Sequence, residues 1–189
     1  AKTKKLYPEV TKDPPSIKNI IDQVKSLENQ GYQFEAAESS FELLIKKQLG
    51  HHKPFFKLEH FRIIGEKPVS KKNHGSSAII KIKVDQKTEI TASEGDGPVH
   101  ALDTALRKAL EVFYPALKNV HLTDYKVRVL NAETATAAKV RVLIESTDGK
   151  DSWTTIGVST DIIEASWIAL VDSIEYKLYK DLTKKNLKP

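Results

Sequence analysis

A chain of 189 residues, 40% apolar and without cysteine, fits one domain with at most a small satellite, and excludes disulfides, thiolate zinc sites and a cysteine nucleophile. It has no apolar run of about 18 residues and no signal-peptide pattern, so the expectation is a soluble cytoplasmic protein without a membrane partner. The net charge of +5 sits in the tails, at Lys2, Lys4 and Lys5 and at Lys180, Lys184, Lys185 and Lys188, which argues against nucleic acid as a partner.

Pro8, Pro14 and Pro15 predict a loop over residues 1–15. Ser16 then caps a predicted helix through about Gln30, with Ile17, Ile20, Ile21, Val24 and Leu27 on its apolar side and Gly31 ending it. Phe34, Ala37, Phe41, Leu44 and Gln48 or Leu49 mark a second helix, ended by Gly50. Two short helices cannot hold together without another surface. His51 and His52 open the next loop, and His60 falls in a strand. Their spacing lacks the HExxH type of pattern, so no metal site is expected and they read as solvated or hydrogen-bonded.

From Pro54 the apolar period changes to two. Strands are predicted at 56–64, 78–84 and 88–92, with a polar loop over 65–77. The Gly95-Asp96-Gly97-Pro98 turn leads into a helix with Val99, Leu102, Leu106, Leu110 and Phe113 on one stripe, ending near Tyr114-Pro115. The order then repeats. Tyr125, Val127 and Val129 mark a strand, 131–136 a polar loop, Val140, Val142 and Ile144 a strand, Asp148-Gly149 a hairpin turn, and 153–158 a third strand. Ser159-Thr160-Asp161 precedes a helix with Ile163, Trp167, Leu170, Ile174 and Leu178 inward. A shift of 64 residues superposes Thr91 on Thr155, Ala101 on Ala165, Ala105 on Ala169 and Leu106 on Leu170. The predicted fold is therefore α+β: a duplicated βββα domain with pseudo-two-fold symmetry over residues 54–189, preceded by a two-helix subdomain over residues 1–53.

The two strand-to-helix turns are the candidate site. Gly95 and Gly97 let the backbone turn sharply, and Pro98 suits the first helical turn. The first amides of a helix lack internal partners and carry partial positive charge, so an anion can sit there. Turn two offers Ser159, Thr160 and Asp161, with Asp161 able to cap the helix or meet a cation. A ligand with both a carboxylate and an ammonium suits this pair, with an apolar pocket near Tyr125 for an aliphatic side chain. Two ordinary helix caps and a core tyrosine fit the same spacing, and both readings stay open.

EGDGPVHALDTALRKALEVFYP (94–115), LTDYKVRVL (122–130) and GVSTDIIEASWIALVDSIEYKL (157–178) resemble the C-terminal regulatory domain of the isopropylmalate synthase and citramalate synthase family. GYQFEAAESSFELLIKK (31–47) resembles the helical subdomain before that domain in the long form of citramalate synthase, and DIIEASWIALVDSIEYKL is also nearer to that form. The resemblance implies an acyltransferase parent that condenses acetyl-CoA with a 2-oxo acid in a metal-dependent barrel. No such barrel pattern occurs here, so the chain is expected to hold no cofactor and no catalytic residue of its own and to be inactive alone. Ala1 and the lack of any methionine fit a piece of a longer chain. The resemblance further implies a homodimer and a branched-chain amino-acid effector, isoleucine in the citramalate branch or leucine in the other. Its effector pocket maps onto Val99 and His100; Leu122, Tyr125 and Val129; Ala135 and Ala137; and Ser159, Thr160, Asp161 and Ile162, beside Gly95, Gly97 and Pro98 of the first turn. His100 and Asp161 depart from the family's usual small residues. A free-standing amino-acid sensor and a basic nucleic-acid-binding module are the alternatives of other classes.

Overall fold

The computed structural model describes residues 14–66, 75–130 and 138–186. In chain order these form α1 (Pro14–Gln30), a 3-10 turn (Phe34–Ala36), α2 (Glu38–Gln48), β1 (Lys57–Glu66), β2 (Gly75–Val84), β3 (Lys87–Gly95), α3 (Pro98–Glu111), a second 3-10 turn (Pro115–Asn119), β4 (His121–Val129), β5 (Val140–Thr147), β6 (Ser152–Ser159) and α4 (Ile162–Asn186). The strands make two antiparallel sheets, ordered β1-β2-β3 and β4-β5-β6, and a helix follows each. The α+β duplication expected from the sequence is the observed fold. Among the described residues no helix is long and apolar enough to cross a membrane. The predicted loop over 131–136, part of that over 65–77 and the lysines of the N-terminal tail lie outside the described residues.

Two element boundaries correct the sequence reading. Pro14 and Pro15 open α1 instead of ending a loop, because the first helical turn leaves its N–H groups unpaired anyway. The second predicted helix is broken: Phe34–Ala36 is 3-10, and Ala37, at φ −142° and ψ 63°, separates it from α2.

The chain divides into two compact units. One is built on β1–β3, α3, the 146–152 hairpin and the C-terminal part of α4. On β2, Ala78, Ile80, Ile82 and Val84 are buried, and α3 buries Ala101, Leu102, Ala105, Leu106, Ala109 and Leu110. Period two on the strand and 3.6 on the helix thus form one core. Thr91 Oγ1 donates to the Ala105 carbonyl at 2.8 Å and ties β3 to α3. The opposite face of the sheet follows from its register: Arg62 opposes Ile79, which opposes Ala92, while His60 opposes Lys81, which opposes Ile90. The hairpin is gripped by lysines, with Lys177 on Asp148 at 2.7 Å and Lys184 on Asp151 at 2.8 Å.

The other unit is built on β4–β6, α1, α2 and the first part of α4. Thr155 Oγ1 donates to the Ala169 carbonyl at 2.8 Å, as Thr91 does to Ala105 in the first repeat. Trp153 Nε1 donates to Ser173 Oγ at 2.9 Å, and its ring lies 6.3 Å from that of Tyr176. The alternate positions of β6 face the N-terminal helices. Phe34, Ala37 and Ile156 form a cluster with Val24, Leu27, Tyr32, Phe41, Leu44, Leu143 and Val158. The surface that the two short helices needed is therefore the second sheet. Ser40 completes the seam: its Oγ accepts the edge amide of Ile156 at 3.1 Å and donates to Asp172 at 2.8 Å. An edge-strand donor is thereby capped by a helix instead of left open. Arg141 Nε donates to the Gly31 carbonyl at 2.6 Å, and Gly31, at φ +112°, takes the left-handed turn that ends α1. His52 Nε2 lies 2.8 Å from Glu175 Oε2, both side chains being buried.

Candidate functional site

The first turn lies in the unit built on β1–β3. Gly95 closes β3 so near the start of α3 that an added Cβ would stand 2.5 Å from the Ala101 nitrogen and 2.9 Å from the His100 carbonyl carbon. Only glycine lets strand and helix approach this closely. Gly97 is extended, at φ −159°, and is the N-cap residue of α3, with no side-chain cap bond; Pro98 follows. The Ala101 amide is spent on the Gly97 carbonyl, at 3.0 Å. Asp96 donates its amide to His100 Nδ1 at 3.2 Å, so the imidazole folds back over the turn and one amide expected to be open is engaged. Val99 is half-buried, His100 exposed and Leu122 half-buried.

Further along α3, Asp103 Oδ2 accepts both Arg107 Nε, at 3.0 Å, and Nη2, at 2.7 Å, and Arg107 also reaches the Val120 carbonyl. Asp103 Oδ1 is buried without a hydrogen-bond partner among the described residues. Burial pushes the Asp103 carboxyl above the ordinary carboxylate range, with Arg107 pulling the other way. Sequence reasoning missed this pair, although its i, i+4 spacing signals it.

The second turn lies in the other unit and is built differently. Asp161 Oδ1 accepts the amides of Ile163 at 2.7 Å and Glu164 at 3.4 Å, so it is a helix cap. Ser159 Oγ donates to Glu164 Oε2 at 2.5 Å and accepts the Asp161 amide at 3.1 Å. The Asp-x-x-Glu spacing from 161 to 164 is a capping-box signature, legible in the sequence and passed over. Of the two roles open to Asp161, capping is the one observed. Thr160 and Ile162 are exposed. Tyr125 Oη lies 2.8 Å from Ser166 Oγ, which donates to the Ile162 carbonyl at 2.7 Å. The serine proton being spent, the tyrosine is the donor to Ser166, and the relay pins its ring at the first turn of α4. Tyr125, Val127 and Val129 share one exposed face of β4. Tyr125 is thus not a core tyrosine. Ala135 and Ala137 lie outside the described residues. Among the described residues no three His, Cys, Asp or Glu side chains converge as metal ligands.

Two βββα repeats, one strand-to-helix turn uncapped by any side chain and the other self-capped, define a duplicated α+β domain. The family described as the LeuA allosteric (dimerisation) domain matches residues 35–178, and the chain belongs to that family. It is 53% identical over 180 residues to an (R)-citramalate synthase of Aquifex aeolicus, covering 95% of this chain and 34% of that protein. It is 56% identical over 170 residues to an (R)-citramalate synthase of Geobacter sulfurreducens, covering 90% and 32%. A 2-isopropylmalate synthase of Clostridium kluyveri is 31% identical over 151 residues, covering 80% and 27%. The chain spans about a third of the length of the citramalate synthases it matches.

Proposed function

We propose that this chain is the feedback-regulatory and subunit-pairing part of a citramalate synthase, and that it binds isoleucine as end-product inhibitor. The observation that carries the choice of parent is the identity gradient, 53–56% to citramalate synthases against 31% to a 2-isopropylmalate synthase. The condensation of acetyl-CoA with pyruvate, and its divalent metal, belong in this reading to the other two thirds of the parent; the chain alone turns nothing over.

For binding, the support is the uncapped start of α3. A free carboxylate is the natural partner of the Val99 and His100 amides, which no side chain of the turn satisfies. Leucine is the second ligand, because moving one methyl in an apolar pocket changes affinity by about 1–3 kcal/mol at most.

Calorimetric titration of isoleucine and leucine tests the reading. Isoleucine should release heat and raise the melting temperature, with leucine weaker. Absence of both effects at millimolar isoleucine sinks it, and a response to leucine alone moves the chain to the isopropylmalate branch. His100→Ala, titrated in the same way, measures the contribution of the α3 turn. Light scattering at tens of micromolar should give a homodimer.

A further inference from the structure

The duplication exposes an inequality between the sheets. Leu143 and Ile79 are equivalent under the 64-residue shift. Leu143 is covered by the amphipathic helical segment that carries Val24, Leu27, Phe34 and Phe41. Ile79, on the corresponding face of the first sheet, is 37% exposed, with Ile64 at 44% and Ile90 at 60% on the same face. Exposed Lys57, His60 and Arg62 and half-exposed Lys83 edge these isoleucines. Lys81 is paired with Glu59 at 2.7 Å, and the register places two further acids on that face, Glu94 beside Ser77 and Glu66 at the far end of β1, against Lys57, Arg62 and Lys83.

We propose that the outer face of the first sheet docks an amphipathic helical segment with acidic flanks, supplied by the part of the full-length synthase outside this chain. The inference rests on the parent reading above. The second repeat shows what such a face accepts: a helical segment of the same polypeptide, apolar inward, held by a sheet cation, Arg141, on the carbonyl that ends a helix. The surplus of cations around Ile79 selects acidic flanks. It disfavours a second copy, which would bring one cationic face against another. Size selects a tethered partner. Three isoleucines make a patch well short of the roughly 1,000 Å² a free partner needs, whereas a segment on the same chain binds at an effective concentration in the millimolar range.

The chain has no cysteine, so Ile90→Cys introduces a single thiol here. Its alkylation by iodoacetamide, read by peptide mass spectrometry, is compared between this chain and the full-length protein. The expected result is labelling about tenfold slower in the full-length protein. Ile79→Glu in the same background should restore the fast rate without moving the melting temperature of this chain. Equal rates in the two proteins overturn the proposal. So does protection of this chain alone that grows with its concentration, which would make a second copy the occupant. Isoleucine titration of the unsubstituted chain separates the two readings: absence of heat there refutes the effector assignment, while the labelling ratio judges the docking face.

Discussion

Gly157→Ala is the sharpest test of how the second repeat packs. Gly157 is a buried residue of β6, on the side that carries Thr155 and meets α4. A methyl group there would overlap the Ala165 carbonyl oxygen, stand 2.9 Å from that carbonyl carbon and 3.0 Å from Ile168 Cβ. The obstacles are mostly backbone, so no rotamer change relieves them, and strand and helix must part by roughly 1 Å, since carbon atoms pack at about 3.5–4.0 Å. A gap of that size forfeits a quarter to a half of the dispersion energy along the seam. Overpacking usually costs about 1–3 kcal/mol. With rigid backbone on both sides the upper figure applies, and about 3 kcal/mol lowers the melting temperature by roughly 6–12 °C in a chain of this size. Gly97→Ala is the control, being extended with nothing within 4 Å of the added methyl; alanine's smaller entropy loss is offset by its poorer N-cap preference, so the change should stay within about 0.5 kcal/mol. Thermal and urea melts followed by circular dichroism measure both. A Gly157→Ala melt within 1–2 °C of the parent, at roughly half a kcal/mol, would refute the close approach of β6 to α4.

Three further expectations rest on single hydrogen bonds and ion pairs. Thr155→Val removes the bond to the Ala169 carbonyl and should cost about 1 kcal/mol, with no orphaned group because that carbonyl keeps its helical partner; an unchanged urea midpoint counts against it. Asp148 is held well below the ordinary carboxylate range, first by the Asp151 amide and then by Lys177. Its contribution is therefore complete above the unfolded value near 3.8 and is lost as pH falls below it, so Asp148→Asn should flatten the acid limb of a stability-versus-pH curve. For His52, burial lowers the imidazole below its usual 6.5, with Lys47 and Lys46 acting the same way and Asp172 opposing. Burial thus favours the neutral ring in the folded chain, so this stability is present above pH 6.5 and falls away below it. An NMR titration midpoint above 6.5 would mean that the carboxylate outweighs burial.

The duplication was legible because both signals that carry it are local. Alternation at Ile80, Ile82 and Val84, and again at Val142 and Ile144, needs no knowledge of partners, and the pairs Thr91/Thr155 and Ala105/Ala169 turn out to form the same strand-to-helix hydrogen bond twice. What escaped was set by tertiary packing. Nothing in the sequence around Ser40 says that its hydroxyl will cap the edge amide of Ile156, more than a hundred residues away. The break at Ala37 likewise answers to the cluster it enters with Phe34 and Ile156.

The site divides along the same line. Gly95 was legible as a turn glycine, yet the reason for it, an approach of 2.5 Å between a would-be Cβ and the Ala101 nitrogen, is a packing fact. The two turns looked alike because each is a strand end followed by a helix start. Their chemistry differs because one carries Gly97-Pro98 and the other Asp161 with Glu164 three residues on. A side-chain cap satisfies the orphan amides from within, which removes the anion-binding capacity that an uncapped start keeps. The two repeats thus supply equivalent frames that differ at the N-cap position, where Gly97 leaves the start of α3 without a side-chain cap and Asp161 caps α4. A ligand with one carboxylate needs just one such turn. Moving the cap should therefore move the property: Gly97→Asp is expected to fill the α3 amides with its own carboxylate and weaken isoleucine binding without loss of stability, since an aspartate N-cap is favoured over glycine by a few tenths of a kcal/mol. Unchanged calorimetric affinity for isoleucine in a Gly97→Asp chain that melts at or above the parent temperature would show that the ligand carboxylate does not rest on that turn.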